Sequence, residues 1–129
     1  MKTWSKSWKG SKKPKKQRKY VARAPPHIKN RFLGVHLSKE LRQKHQMRSI
    51  RVRKGDKVLV MKGSFTGKTG AVEKVNVIRG LVYVQGIELT RKEGGKIQIP
   101  IKAPNLLITE LNMTDKRRFK DKLFLEKKV

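Results

Sequence analysis

Cysteine is absent from the 129 residues, which excludes disulfides and cysteine-ligated zinc and allows a reducing compartment. Histidine is nearly absent too: only His27, His36 and His45 are present. His36 and Glu40 can share a helical face, but one such pair falls short of the three or four converging ligands a metal site needs. No metal and no cofactor is expected. Acids number nine against 35 Lys and Arg. No carboxylate pair stands out for acid–base chemistry, so no enzyme is expected. The few acids should pair locally with Lys or Arg, each surface pair contributing about 0–1 kcal/mol.

Long apolar runs are missing as well. None approaches the roughly 18 residues a membrane-spanning helix requires. The first nineteen residues hold nine Lys or Arg, no acid, and only Met1, Trp4 and Trp8 as clearly apolar side chains. They lack both the apolar middle of a secretory signal and the continuous apolar face of a membrane-surface helix. Membrane insertion is not expected.

What the chain has is positive charge, +26 in total. A compact domain carrying that charge repels itself unless a partner neutralises it, and nucleic-acid phosphate is the most abundant candidate. The surplus is uneven: +15 over residues 1–48, +7 over 49–112 and +4 over 113–129. This pattern divides the chain into a basic RNA-binding extension, a conventional folded middle and a C-terminal tail.

Within the extension, residues 1–13 have too little apolar surface to repay backbone ordering when free. A short helix is expected from Lys15 to Arg23, stopped by Pro25 and Pro26. Ser38 should cap a second through about His45. Trp4 and Trp8 read as anchors ordered by RNA or a neighbouring protein. The middle reads as five strands: Val58 and Val60 in alternation, Ala71 to Val77, Leu81 to Val84, Ile97 to Ile101, and Leu106 to Leu111. Pro100 lacks an N–H donor, which puts its strand at an edge. Five short strands without a long intervening helix indicate a small barrel. Thr114 should cap a last helix, from Asp115 to about Glu126, with Phe119 and Leu123 docked on the barrel. The fold class is therefore mainly β.

The most informative stretch runs from Arg53 to Val72. Two strands flank a loop holding Gly63 and Gly67, with Gly55 before the first strand and Gly70 at the start of the second. Lys62 and Lys68 stand at either side of the loop, in reach of phosphate, and Phe65 at its tip can stack on an unpaired base. Gly63-Ser64-Phe65-Thr66-Gly67-Lys68-Thr69 ends like a P-loop, but only three residues separate its glycines where four are needed, and a strand follows where a helix is required.

The stretch resembles the KOW motif of ribosomal proteins and transcription elongation factors with SH3-like barrels. The resemblance extends to Gln17-Arg18-Lys19, Ala24-Pro25-Pro26-His27-Ile28, Leu37-Ser38-Lys39-Glu40-Leu41-Arg42-Gln43-Lys44 and Ile108-Thr109-Glu110-Leu111-Asn112. These blocks are similar to the large-subunit ribosomal protein family numbered twenty-four in the universal scheme and twenty-six in eukaryotes. The basic arm points to its archaeal and eukaryotic branch, and the short C-terminus leans archaeal. The resemblance implies a structural protein that binds the 5′ region of large-subunit rRNA, helps early assembly and lies near the polypeptide exit tunnel of cytoplasmic ribosomes. It also implies neighbouring large-subunit proteins, and nascent-chain or targeting factors, as partners, with no homo-oligomer. A hairpin corresponding to Gly86–Lys96 projects toward the exit in relatives. Lys102-Ala103-Pro104-Asn105 departs from the eukaryotic His-Pro-Ser-Lys turn, whose contacts are not carried over. A KOW-type elongation factor is the alternative, though such factors usually carry a further domain for which this chain has no room.

The residues expected to meet RNA follow from charge and motif together. In the arm they are Lys12, Lys13, Lys15, Lys16, Arg18, Lys19, Arg23, His27, Lys29 and Arg31. At the junction with the barrel they are Arg48, Arg51, Arg53 and Lys54, and in the loop Lys62, Phe65 and Lys68.

Overall fold

The computed structural model describes residues 4–5 and 11–119. Helix α1 (Pro14–Arg23) starts with proline, whose fixed φ suits a first helical position, and ends before Pro25 and Pro26 as the sequence requires. A short helix α2 (Pro26–Lys29) and a 3-10 turn (Asn30–Leu33) lead into β1 (Gly34–Leu37). Helix α3 (Lys39–His45) is capped by Ser38, whose hydroxyl accepts from the Leu41 N–H. Strands β2 (Ser49–Arg51), β3 (Lys57–Val60), β4 (Thr69–Asn76), β5 (Leu81–Thr90), β6 (Lys96–Lys102) and β7 (Leu106–Glu110) follow.

The seven strands form one sheet in the order β2-β1-β7-β3-β4-β5-β6. Every pairing is antiparallel except β1 with β7. Val35 and Leu37 of β1, Val58 and Val60 of β3, Val72 of β4, Val82, Val84 and Ile87 of β5, Ile101 of β6, and Leu106 and Ile108 of β7 belong to a single buried cluster. A flat sheet cannot bring its outer strands to one cluster, so this one curls on itself as a small barrel-like β-fold. Alternation sets which side chains enter: Val58 and Val60 are buried, while Lys57 is exposed.

The five expected strands are present, and two more join them. Strands β1 and β2 flank α3, and Leu33, Val35 and Leu37, from the stretch read as extension, are fully buried. β1 is only four residues long, and its parallel partner β7 lies far along the chain, so no local pattern marks it. Pro100 does lie in an edge strand, since β6 pairs with β5 alone. The β5–β6 register breaks between Tyr83 and Glu88, where Gly86 takes φ +82°. Beyond that kink Leu89 pairs with Ile97 and Thr90 with Lys96 in a projecting ribbon. Tyr83, half-buried, sits on the face opposite Val82 and Val84.

The C-terminal segment departs from expectation. Over the described residues it is a 3-10 turn, Lys116–Phe119. Asp115, not Thr114, caps it: its carboxylate accepts from the Arg117 N–H at 2.8 Å. Phe119 stacks on His45 at 4.9 Å between ring centroids, so it meets the end of α3. Leu123 and the remainder of the expected helix lie outside the described residues. At the other end Trp4 packs against Tyr20 of α1, with centroids 5.2 Å apart.

Candidate nucleic-acid interface

The loop between β3 and β4 is closed from within. The Val60 N–H donates to the Lys68 carbonyl and the Gly67 N–H to the Val60 carbonyl, at 3.0 and 2.9 Å. Gly63 and Gly67 take φ of +107° and +86° in open space, so their need is conformational. Gly55 and Gly70 serve close packing instead. A Cβ at Gly70 would stand 2.4 Å from the Gln85 carbonyl oxygen, and one at Gly55 2.5 Å from the Asn112 amide. Lys62 and Lys68 are exposed at the sides of the loop. Phe65 is half-buried and packs on the core cluster, with the Lys68 ammonium 5.0 Å over its ring. It is therefore partly engaged within the protein and presents less than a free ring at the loop tip.

The opposite end of β3 is organised by Asp56, which the sequence reading did not single out. Its buried carboxylate accepts the Arg53 and Asn112 N–H groups, each at 2.9 Å. It also receives both arms of the Arg118 guanidinium, at 2.7 and 2.6 Å. Arg118 donates further to the Arg51 carbonyl at 2.8 Å. A lone acid inside a basic run, in Lys54-Gly55-Asp56-Lys57, was the available signal. Its partner is remote in sequence and could not be read locally.

Around this anchor three guanidiniums crowd together. Arg53 pairs with Asp115 and Arg118 with Asp56. Arg51 has its pKa drawn below the ordinary arginine value, first by desolvation and then by repulsion from Arg53 and Arg118. An anion near Arg51 would relieve that repulsion. Arg51, Arg53 and Lys54 line an open groove of about 490 Å³ with Lys74. The one carboxylate along it, Glu73, accepts a hydrogen bond from Gln98. Asp115, held by Arg53 and by the Arg117 N–H, has its pKa lowered.

The arm supplies the third group. Lys12, Lys13, Lys15, Lys16, Arg18, Lys19, Arg23, His27 and Arg31 are exposed, Lys29 is half-buried, and Arg48 is exposed beside β2. Among the described residues, every ion pair lies beyond residue 50, so none engages these cations. The expected RNA-contacting residues thus fall into an arm group, a group at the start of β3 (Arg51, Arg53, Lys54) and a loop group at its end (Lys62, Lys68). The last two are separated by the length of the strand. Among the described residues no three His, Asp or Glu side chains converge as a metal site requires. No helix there is long and apolar enough to cross a membrane. The Gly67-Lys68-Thr69 segment runs into β4, so it lacks the helix a P-loop needs.

Fold and charge together define a class: small, strongly basic proteins built on a KOW-type hairpin in a barrel-like sheet. Residues 11–128 match the ribosomal protein family that comprises the eukaryotic protein L26 and its archaeal counterpart, L24 of the P type. The large ribosomal subunit protein uL24 of Methanoculleus marisnigri (strain ATCC 35101 / DSM 1498 / JR1) is 43% identical over 108 residues, covering 84% of this chain and 89% of that protein. The chain belongs to this family of large-subunit ribosomal proteins. The match spans arm and sheet alike, which a hairpin shared with elongation factors alone would not produce.

Proposed function

We propose that this chain is a structural constituent of the large subunit of cytoplasmic ribosomes, without catalytic activity, that binds the 5′ region of large-subunit rRNA. It aids early subunit assembly, lies near the polypeptide exit tunnel, and contacts neighbouring large-subunit proteins and factors that gather at the exit. Assembly role and position rest on the family resemblance. RNA binding rests on one observation: a cationic arm without an internal counter-ion among the described residues, joined to a sheet with cations at both ends of β3.

The geometry explains how such a protein would work. Exposed Lys and Arg displace counterions from phosphate, which supplies affinity without reading sequence. The helical form of α1 reduces the ordering cost of the arm on binding. Contacts at both ends of β3 fix orientation, because two separated points on a rigid strand cannot both be satisfied in a rotated pose. The protein therefore holds RNA segments in a set relation and lets the RNA cancel its charge.

The test is competition. The full chain, bound to a transcript of the 5′ domain of large-subunit rRNA at physiological salt, is challenged with equal masses of random RNA. The transcript is expected to prevail by about tenfold or more, within the range that separates specific from nonspecific nucleic-acid binding. Equal competition would reduce the interaction to nonspecific polyanion binding.

A further inference from the structure

Helix α1 contributes no buried residue to the core, yet Val21 is 46% exposed on it beside Ala22. Facing them, the turn between β4 and β5 carries Ile78 at its tip, 68% exposed, where a polar residue would cost nothing. The Arg79 N–H bonds the Asn76 side chain at 3.2 Å, which gives this turn a defined shape. Helix and turn enclose a groove of about 430 Å³, within the roughly 300–1,000 Å³ of small-ligand sites. Its apolar walls are Val21, Ala22 and Ile78, its rim carries Arg18, Lys29 and Arg79, and no carboxylate lines it.

We infer that this groove receives an unpaired, splayed-out base of RNA, with the flanking phosphates held by Arg18, Lys29 and Arg79. A nucleotide joins a flat apolar face to an anion, and the groove joins apolar walls to a cationic rim in the same order. Aliphatic side chains can sandwich a flipped base as aromatic ones do. Three cations without an acid argue against an ordinary protein segment, which would bring its own cations as often as acids. The slot also continues the exposed basic surface of α1. The inference rests on the rRNA-binding reading above and deepens it: the arm would read an unpaired nucleotide as well as track phosphate.

The experiment uses the full chain with the 5′-domain transcript, and probes base accessibility nucleotide by nucleotide alongside affinity against salt. Wild type should protect at least one unpaired base. Ile78→Ser and Val21→Ser, on opposite walls, should each expose that same base and weaken binding about threefold to tenfold. The salt slope should stay unchanged, because no charge is removed. Arg79→Gln should instead lower the magnitude of that slope by about 0.7. Both wall residues are exposed, so melting temperatures should stay near wild type and report any misfolding. If both wall variants keep the wild-type footprint and affinity, the base-binding groove is wrong while rRNA binding stands. If they keep the footprint but fail to enter subunits, the groove holds a protein and the inference is equally overturned. Failure of wild type to bind the transcript at all would remove the broader reading with it.

Discussion

Arg118 lays both arms of its guanidinium on the Asp56 carboxylate, with the Arg118 side chain 3% exposed and that of Asp56 fully buried. This pair ties the last described turn of the chain to the start of the KOW hairpin. It also frames the strand-end cation cluster, because Arg118 holds the Arg51 backbone and Asp56 the Arg53 N–H.

Breaking the pair from one side should be costly. Asp56→Ala leaves Arg118 buried without a counter-ion and orphans two backbone donors, so a loss of about 3–5 kcal/mol is expected. Urea denaturation of the isolated protein checks it. The double variant Asp56→Leu/Arg118→Met should recover part of the loss, since an apolar replacement removes the unpaired charge. Equal instability of single and double variants would place the energy elsewhere.

The glycines of the hairpin divide into two kinds that mutation should separate. Gly70→Ala drives a methyl toward the Gln85 carbonyl across the β4–β5 pairing, where only backbone movement makes room. Gly63→Ala meets open space and bears the cost of positive φ alone, about 1–2 kcal/mol. Gly70→Ala is therefore expected to destabilise more. Chemical denaturation midpoints of the two variants give the order directly.

Asp115 gives the fold a pH dependence of known sign. Its folded pKa is held below the ordinary 3.8 by the Arg53 hydrogen bond first and the Arg117 N–H second. A depressed carboxylate contributes stability that is complete above the unfolded value and is lost as pH falls through the folded one. The melting temperature should therefore drop below about pH 4, and Asp115→Asn should drop less steeply over the same interval. Parallel curves for both proteins from about pH 6 to 3 would refute this assignment.

The parts of the fold legible in the sequence are those whose signal is local. Val58 and Val60 in alternation, the cap at Ser38, the stop at Pro25 and the edge position of Pro100 each follow from neighbouring residues. Strand β1 is not legible that way, because it is short and its parallel partner β7 is remote. The Asp56–Arg118 pair spans 62 residues and escapes for the same reason. Phe65 shows the limit at the site: a loop position between glycines predicts exposure, whereas the ring packs on the core under Lys68. The arm's cations were legible as a group, since charge needs no tertiary partner to be counted.

Those cations carry the last expectation. Lys15, Lys16 and Arg18 lie exposed on α1 without an ion pair among the described residues, so their replacement by Gln should leave stability nearly unchanged. Their effect should appear in RNA binding, where each phosphate contact to single-stranded RNA contributes about 0.7 to the log–log salt slope. About ten contacts give a slope near −7. The triple variant should therefore flatten the slope by about 2, and lose more affinity at low salt than at high. Titrations of the 5′-domain transcript at several salt concentrations measure both quantities. A slope that stays at the wild-type value would mean that α1 points away from the phosphates, and that the strand-end groups carry the interaction without it.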